Sequence, residues 1–157
     1  MPLNTTVPTS ITPQLLQLCG GIASGVPVWV QVVPSPSAEP RECFPSVREM
    51  VERQGGRIVY GWALWECRPI FVEAEHHAVY EQSTGSPWID VTPHVPPIRR
   101  ILFLSDDNAT YDFGTTDVRD NFKMSTVDNP MVSHLLALFS KRIEILNRVP
   151  AVGGAVT

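Results

Sequence analysis

Lysine is scarce in this sequence: Lys123 and Lys141 are the only two among twelve basic residues. Sixteen acidic residues leave a net charge of −4. With no basic surplus or stripe, a nucleic-acid partner is not expected. No apolar run reaches the roughly 18–20 residues that span a bilayer, so no membrane partner is expected either. The start, Met1-Pro2-Leu3-Asn4-Thr5-Thr6, lacks the basic residues and apolar stretch of a signal peptide. The expectation is a cytoplasmic protein, or an effector exported without a conventional signal peptide. Cysteine is also sparse: Cys19, Cys43 and Cys67 form no C-x-x-C pair. That spacing excludes a zinc ribbon or finger, and the odd count leaves at least one thiol free in a monomer.

The sequence does have enough apolar residues for a folded core. Hydrophobic residues make up 43% of 157 and charged residues only 18%, which argues against wholesale disorder. Fifteen prolines predict several rigid loops. Residues 1–11 are small, polar and proline-punctuated, and read as a loose N-terminus. A single domain is expected over residues 12–150, followed by a flexible tail at 151–157. Thr12, Pro13 and Gly20-Gly21 bracket a short helix over 13–19 as N-cap, first helical residue and stop. Val26 to Val33 is a β-rich run whose start Pro27 keeps off a central ladder.

A proline-rich loop, residues 34–42, then delivers Cys43 to the start of an amphipathic helix. Val47, Met50 and Val51 share one face of that helix, Pro45 sits in its first turn, and Gly55-Gly56 ends it. Four strands follow: Arg57–Glu66, Ile70–Gln82, Pro87–Thr92 and Arg99–Leu104. Their short connections predict antiparallel pairing. Residues 105–127 read as irregular. Asp128-Asn129-Pro130 opens a long helix from Met131 to about Arg148, whose apolar positions Leu135, Leu138, Phe139, Ile143 and Leu146 read as core. The expected fold is α+β: the cysteine-bearing helix packed on an antiparallel sheet of four or five strands, plus the long C-terminal helix.

Cysteine at a helix start, histidine on a strand and aspartate on the next strand are the parts of a thiol mechanism. Helix N-terminal partial charge and a nearby imidazolium both favour the thiolate. A carboxylate on a neighbouring strand holds the histidine in place. Centring the turn between Ser83 and Thr84 puts His77 directly opposite Asp90, with Cβ atoms about 4.5–5.5 Å apart on one face. His76 then points to the other face. The even face of that strand (Ile70, Val72, Ala74, His76, Ala78, Tyr80) reads as core. The odd face (Phe71, Glu73, Glu75, His77, Val79, Glu81) is more polar, and its glutamates read as a solvated strand face; a wet cleft favours His77 as the base, whereas a helix packed over the sheet favours His76.

Cys43 opening a helix, His77-Ala78-Val79, and Trp88-Ile89-Asp90-Val91-Thr92 resemble the papain-like and transglutaminase-like cysteine enzymes, including protein-glutamine amidohydrolases. The resemblance covers residues 43–92 and implies a minimal papain-like core. It implies Cys43 as nucleophile, His77 as base and acid, and Asp90 as orienting group, acting on an amide of a protein or peptide substrate through a thioester. No cofactor is implied, and the sequence sets no oligomeric state. Papain-type enzymes carry a glutamine shortly before the cysteine. Here position 37 is serine, so the oxyanion candidate is Gln31, or the backbone N–H of Cys43 alone. Trp62, Trp65, Trp88 and His76 are candidates for a substrate cleft. Two other readings stand beside this one. The first is a catalytically silent binding module on the same scaffold. The second is a zinc protein using Cys43 and His77, with Asp90, His94 and Glu75 as further zinc-capable groups.

Overall fold

The computed structural model describes residues 4–115 and 118–148. The tail expected at 151–157 lies outside them. In chain order the elements are α1 (Pro13–Gly20), β1 (Val28–Val32), α2 (Cys43–Gln54), β2 (Arg57–Cys67), β3 (Phe71–Glu81), β4 (Ile89–Asp90), β5 (Arg100–Ser105), β6 (Phe122–Ser125) and α3 (Pro130–Arg148). The local signals explain the first helices. Thr12 Oγ1 accepts the Leu15 N–H at 3.3 Å, and Pro13 occupies the first turn, where a missing N–H is harmless. Gly55 ends α2 at a φ of +75°, which glycine adopts without strain.

The strands run in the order β2-β5-β1-β4-β3, and β3 pairs back onto β2. Five strands thus close into a barrel, and β6 adds to β3 over Phe71–Ala74, beyond the point where β4 meets it. This replaces the open antiparallel sheet of four or five strands expected from the sequence. Two pairings make the difference. β1 runs parallel to β4, matching Gln31 with Ile89 and Val32 with Asp90. β2 meets β5 over Gly61–Leu64 and closes the ring. Parallel neighbours need a long crossover, here containing α2, β2 and β3, so short connections cannot reveal them.

Closure gives both faces of β2 and β3 something to pack against. Val30, Val59, Ala63, Val79, Ile101 and Phe103 fill the barrel interior. Outside, α1 lays Leu15, Leu18 and Cys19 on Trp62, Leu64, Val72, Leu102 and Leu104. α2 lays Val47 on Ala78, Tyr80 and Val91. Tyr80 also donates its hydroxyl to the Gly55 carbonyl at 2.7 Å, tying the C-terminal end of α2 to β3.

Four further expectations change. The N-terminus is not loose at Thr6, which exchanges two backbone hydrogen bonds with Glu66 at 2.8 and 2.9 Å. The polar stretch before the last helix contains β6. The apolar face of α3 is not core: no residue of that helix is buried, and Met131, Leu138, Ile145 and Leu146 are at least half exposed. Nor are the glutamates of β3 a solvated face. Glu75 is exposed, but Glu73 and Glu81 are buried, with Arg57 and Trp88 both donating to Glu81.

Gly61 marks the tightest approach in the closed ring. A Cβ there would meet the Leu104 carbonyl oxygen at 2.1 Å and the Phe103 ring at 2.8 Å, whereas one at Gly25 would meet nothing within 4 Å. Gly61→Ala is expected to destabilise the protein by about 3 kcal/mol, because a backbone carbonyl cannot step aside. Gly25→Ala is expected to be close to neutral. Urea denaturation of the two variants checks both.

Candidate active site

The loop before α2 ends abruptly. Arg41 sits in the left-handed region at a φ of 68°, a conformation that costs a non-glycine residue on the order of 1 kcal/mol or more. The turn aims Cys43, the first residue of α2, into a cleft. Glu42 holds the N-cap position but its side chain makes no capping bond. The amides of the first turn therefore carry the helix's positive end without a carboxylate over them.

The cleft has a volume of about 600 Å³, within the range of small-molecule and peptide sites. Cys43, Trp65, Glu75, His77, Thr92 and His94 line it, together with Arg41 and residues 5–7 of the N-terminal segment. His77 comes from the interior-facing side of β3. Its Nε2 lies 3.1 Å from Asp90 Oδ1, and both side chains are almost fully buried. The register differs from the simple hairpin estimate, since β3 and β4 pair Tyr80 with Ile89. That is a slip of two residues, which preserves the face; diagonal neighbours on one face remain within reach of long side chains.

Asp90 is the most constrained group. It is fully buried, and Oδ1 accepts the Thr92 N–H at 3.1 Å. Oδ2 accepts the His94 Nε2–H at 2.7 Å. The His77 contact is different: Nε2 is close to Oδ1, but off the line of a formed hydrogen bond. Burial would raise the Asp90 carboxyl. The positive charge of His77 and the His94 N–H outweigh it, holding the group well below the usual carboxylate range. Burial would likewise lower His77. The Asp90 charge and the adjacent Cys43 thiol, within hydrogen-bonding reach, instead hold the imidazole well above its ordinary range.

The other candidates separate by strand face. Trp65 lines the cleft, with its ring 5.8 Å from that of His94. Trp62 belongs to the outer core and donates its indole N–H to Asp106 at 2.9 Å. Trp88 packs edge-on against Phe103 and donates to Glu81. His76 faces away from the thiol, wedged between Phe44 and Trp62, and donates to the Ala109 carbonyl. Burial lowers its pKa. Gln31 is exposed on β1 and is not among the lining residues of the cleft. Trp62, Trp88, His76 and Gln31 are therefore not parts of this site. Cys19 and Cys67 are buried free thiols elsewhere; burial pushes Cys19 up to about 11 and also raises Cys67.

His94 is the group whose place in the site the sequence hid. It follows a proline in an irregular loop, where no periodicity assigns a face. Its one signal is the spacing of four residues from Asp90. A second feature also emerges only in the structure. Trp65 Nε1, His77 Nε2 and Thr92 Oγ1 are buried polar atoms without a hydrogen-bond partner, and all three belong to residues lining the cleft. Among the described residues, no helix is long and apolar enough to cross a membrane.

The buried pair sets a pH dependence. His77 has a raised folded pKa, so its contribution to stability is complete below its ordinary value of about 6.5 and is lost as pH rises through the folded value. Asp90 has a depressed folded pKa, so its contribution is complete above about 3.9 and is lost as pH falls through the folded value. Asp90→Asn is expected to cost about 3–5 kcal/mol near pH 5, because it leaves His77⁺ buried without its counter-charge. The cost should shrink as pH rises above the folded pKa of His77. Denaturant titrations of both proteins from pH 5 to 9 read the difference.

Comparison of the chain with protein-family models, curated proteins and solved structures finds no match.

Proposed function

We propose that the protein is a thiol-dependent hydrolase or acyltransferase acting on amide bonds, either peptide or glutamine carboxamide. The observation that carries this reading is the row Cys43–His77–Asp90, drawn from three separate elements: Cys43 and His77 line one cleft, and buried Asp90 lies against His77 behind its wall. Either His77 or Asp90 buried alone would carry a large desolvation cost; together with the thiol they form a connected proton path. The residue order Cys, His, Asp, on which the likeness to papain-like and transglutaminase-like enzymes rests, adds support. The closed barrel does not belong to that likeness.

The chemistry follows from the geometry. His77 turns Nε2 to Asp90, which leaves Nδ1 for the thiol. The Cys43 thiolate attacks the amide carbonyl carbon, and its electron pair forms the C–S bond as the carbonyl oxygen takes negative charge. The backbone N–H groups of Cys43 and Phe44 at the uncapped start of α2 are the donors available to that oxygen. His77 gives its proton to the departing nitrogen, leaving a thioester. Water or an amine then attacks the thioester, His77 takes up the attacking group's proton, and the thiolate leaves. Asp90 holds the imidazole through both steps and does not itself change protonation. Glu75, exposed at the cleft, makes no ion pair among the described residues and favours substrates with a cation near the amide.

The three thiols supply the test. Alkylation by iodoacetamide at pH 6, read by peptide mass spectrometry on the folded protein, is expected to be at least about tenfold faster at Cys43 than at Cys19 or Cys67. His77→Ala is expected to abolish that advantage and His76→Ala to preserve it. If Cys43, itself buried, is no faster than Cys19 and Cys67, the cleft is a binding site and the catalytic reading fails.

A further inference from the structure

The cleft holds more metal-binding chemistry than a thiol mechanism needs. One ring nitrogen each of His77 and His94 and an Asp90 carboxylate oxygen all lie within 4.8 Å of one another, and the Nε2 atoms of the two histidines are 3.1 and 2.7 Å from Asp90. Donors on one tetrahedral zinc ion, at bond lengths of about 2.0–2.2 Å, lie about 3.3–3.6 Å apart, so side-chain shifts on the order of 1 Å bring these three onto one ion. Two imidazoles and a carboxylate are a ligand set suited to zinc and its divalent neighbours, not to calcium or magnesium. The second observation is independent of the cluster itself. His77 is 3% exposed and its Nε2 points into the group without a formed hydrogen bond. His94 is partly exposed at the cleft wall, which gives an ion a way in from solvent.

The geometry points to a divalent transition-metal site, of zinc-like chemistry, formed by His77, Asp90 and His94, whose occupancy is incompatible with thiol catalysis. The second half of this inference rests on the catalytic reading of Cys43 and His77. A ligating imidazole is neutral and bare at Nε2, so metal binding displaces one proton from a protonated His77 to solvent and leaves each ring with its single proton on Nδ1. A His77 ring bound through Nε2 keeps its remaining proton on Nδ1, the nitrogen left for Cys43, and can no longer accept one from the thiol. Asp90 is then spent on the ion, not on orienting the imidazole. Cys43 is not among the three converging ligands. This differs from a zinc site built on Cys43 and His77: the thiol is dispensable for binding and His94 is required.

The experiment uses the full chain after chelator treatment. Zinc chloride is titrated calorimetrically, and Cys43 alkylation at pH 7 is followed in parallel. One zinc per chain is expected, with alkylation slowed at least about tenfold at saturation and restored by EDTA. Cys43→Ser is expected to bind zinc as the unmodified protein does. His94→Ala is expected to weaken binding by at least about tenfold. Cobalt in place of zinc adds a readout independent of the variants' stability: its spectrum should lack a thiolate charge-transfer band. Absence of zinc binding while Cys43 remains fast overturns the metal site and leaves the catalytic reading standing. Binding lost in Cys43→Ser but kept in His94→Ala also overturns it. Zinc binding that leaves fast alkylation unchanged overturns the incompatibility. A Cys43 that is slow with and without metal overturns the catalytic reading, and the metal site is then judged on stoichiometry and the His94 variant.

Discussion

A carboxylate with no exposure to water is the constraint around which this molecule is arranged. Asp90 sits at the end of a two-residue strand, fully buried beside the apolar cluster that fills the barrel. An unpaired charge there would cost several kcal/mol. It is tolerated because three groups converge on it: the Thr92 amide, His94 and His77. Each comes at a structural cost. Thr92 must turn its amide back toward Asp90, the following loop must fold His94 inward, and β3 must present His77 on its interior face. The chain meets these demands by pinning β4 on both sides. Val33 donates to the Asp90 carbonyl and Ser35 to that of Val91, while Tyr80 of β3 pairs with Ile89.

The same pinning explains why the sheet closes. β1 lies between β5 and β4, antiparallel to one and parallel to the other. Once β4 is fixed beside both β1 and β3, β5 is left to join β1 to β2, and Gly61 allows that contact by offering no side chain where the Leu104 carbonyl and Phe103 ring must pass. Closure buries Phe103 against His77, with ring centres 6.4 Å apart. The interior is thereby kept apolar beside the ion pair. Low polarity strengthens the attraction between His77 and Asp90, and it also makes the loss of either partner costly. The fold and the site are thus not separable: the pairings that complete the barrel are those that hold the histidine to its carboxylate.

What the sequence disclosed was local. Thr12 and Pro13 start α1, Gly55 ends α2, and the turn at Cys67 to Ile70 joins β2 to β3, all from signals a few residues long. Cys43 at a helix start and His77 and Asp90 on one face also came from local rules. The two-residue slip in register did no harm, since strand parity repeats every two residues. What stayed hidden was non-local. The parallel β1–β4 pair links residues far apart in the chain, and periodicity carries no trace of it. β6 lay concealed in a polar segment because its four residues, Phe122–Ser125, are too few for periodicity to show, and its partner is the distant start of β3 at Phe71–Ala74. Once the barrel closes, the even–odd contrast along β3 no longer separates core from solvent, which is why Glu73 and Glu81 are buried. The tryptophans show the same limit. Parity alone sends Trp62 outward and Trp65 inward, but only the closed ring says which side is the cleft.

One carboxylate serving two histidines has a chemical consequence. Asp90 has two oxygens and offers one to each imidazole, so the state of one ring is felt by the other through a shared charge. A proton on His77 strengthens the claim of His77 on Asp90 and weakens the hold on His94; a neutral His77 does the reverse. A thiol mechanism that moves a proton on and off His77 therefore leans on His94 to keep Asp90 in place while the charge is absent. On the metal site proposed above, a single divalent ion would satisfy two imidazoles and the carboxylate at once. Protons and metal would then compete for one set of atoms, and which of them holds His77 Nε2 would decide whether the thiol beside it has a base.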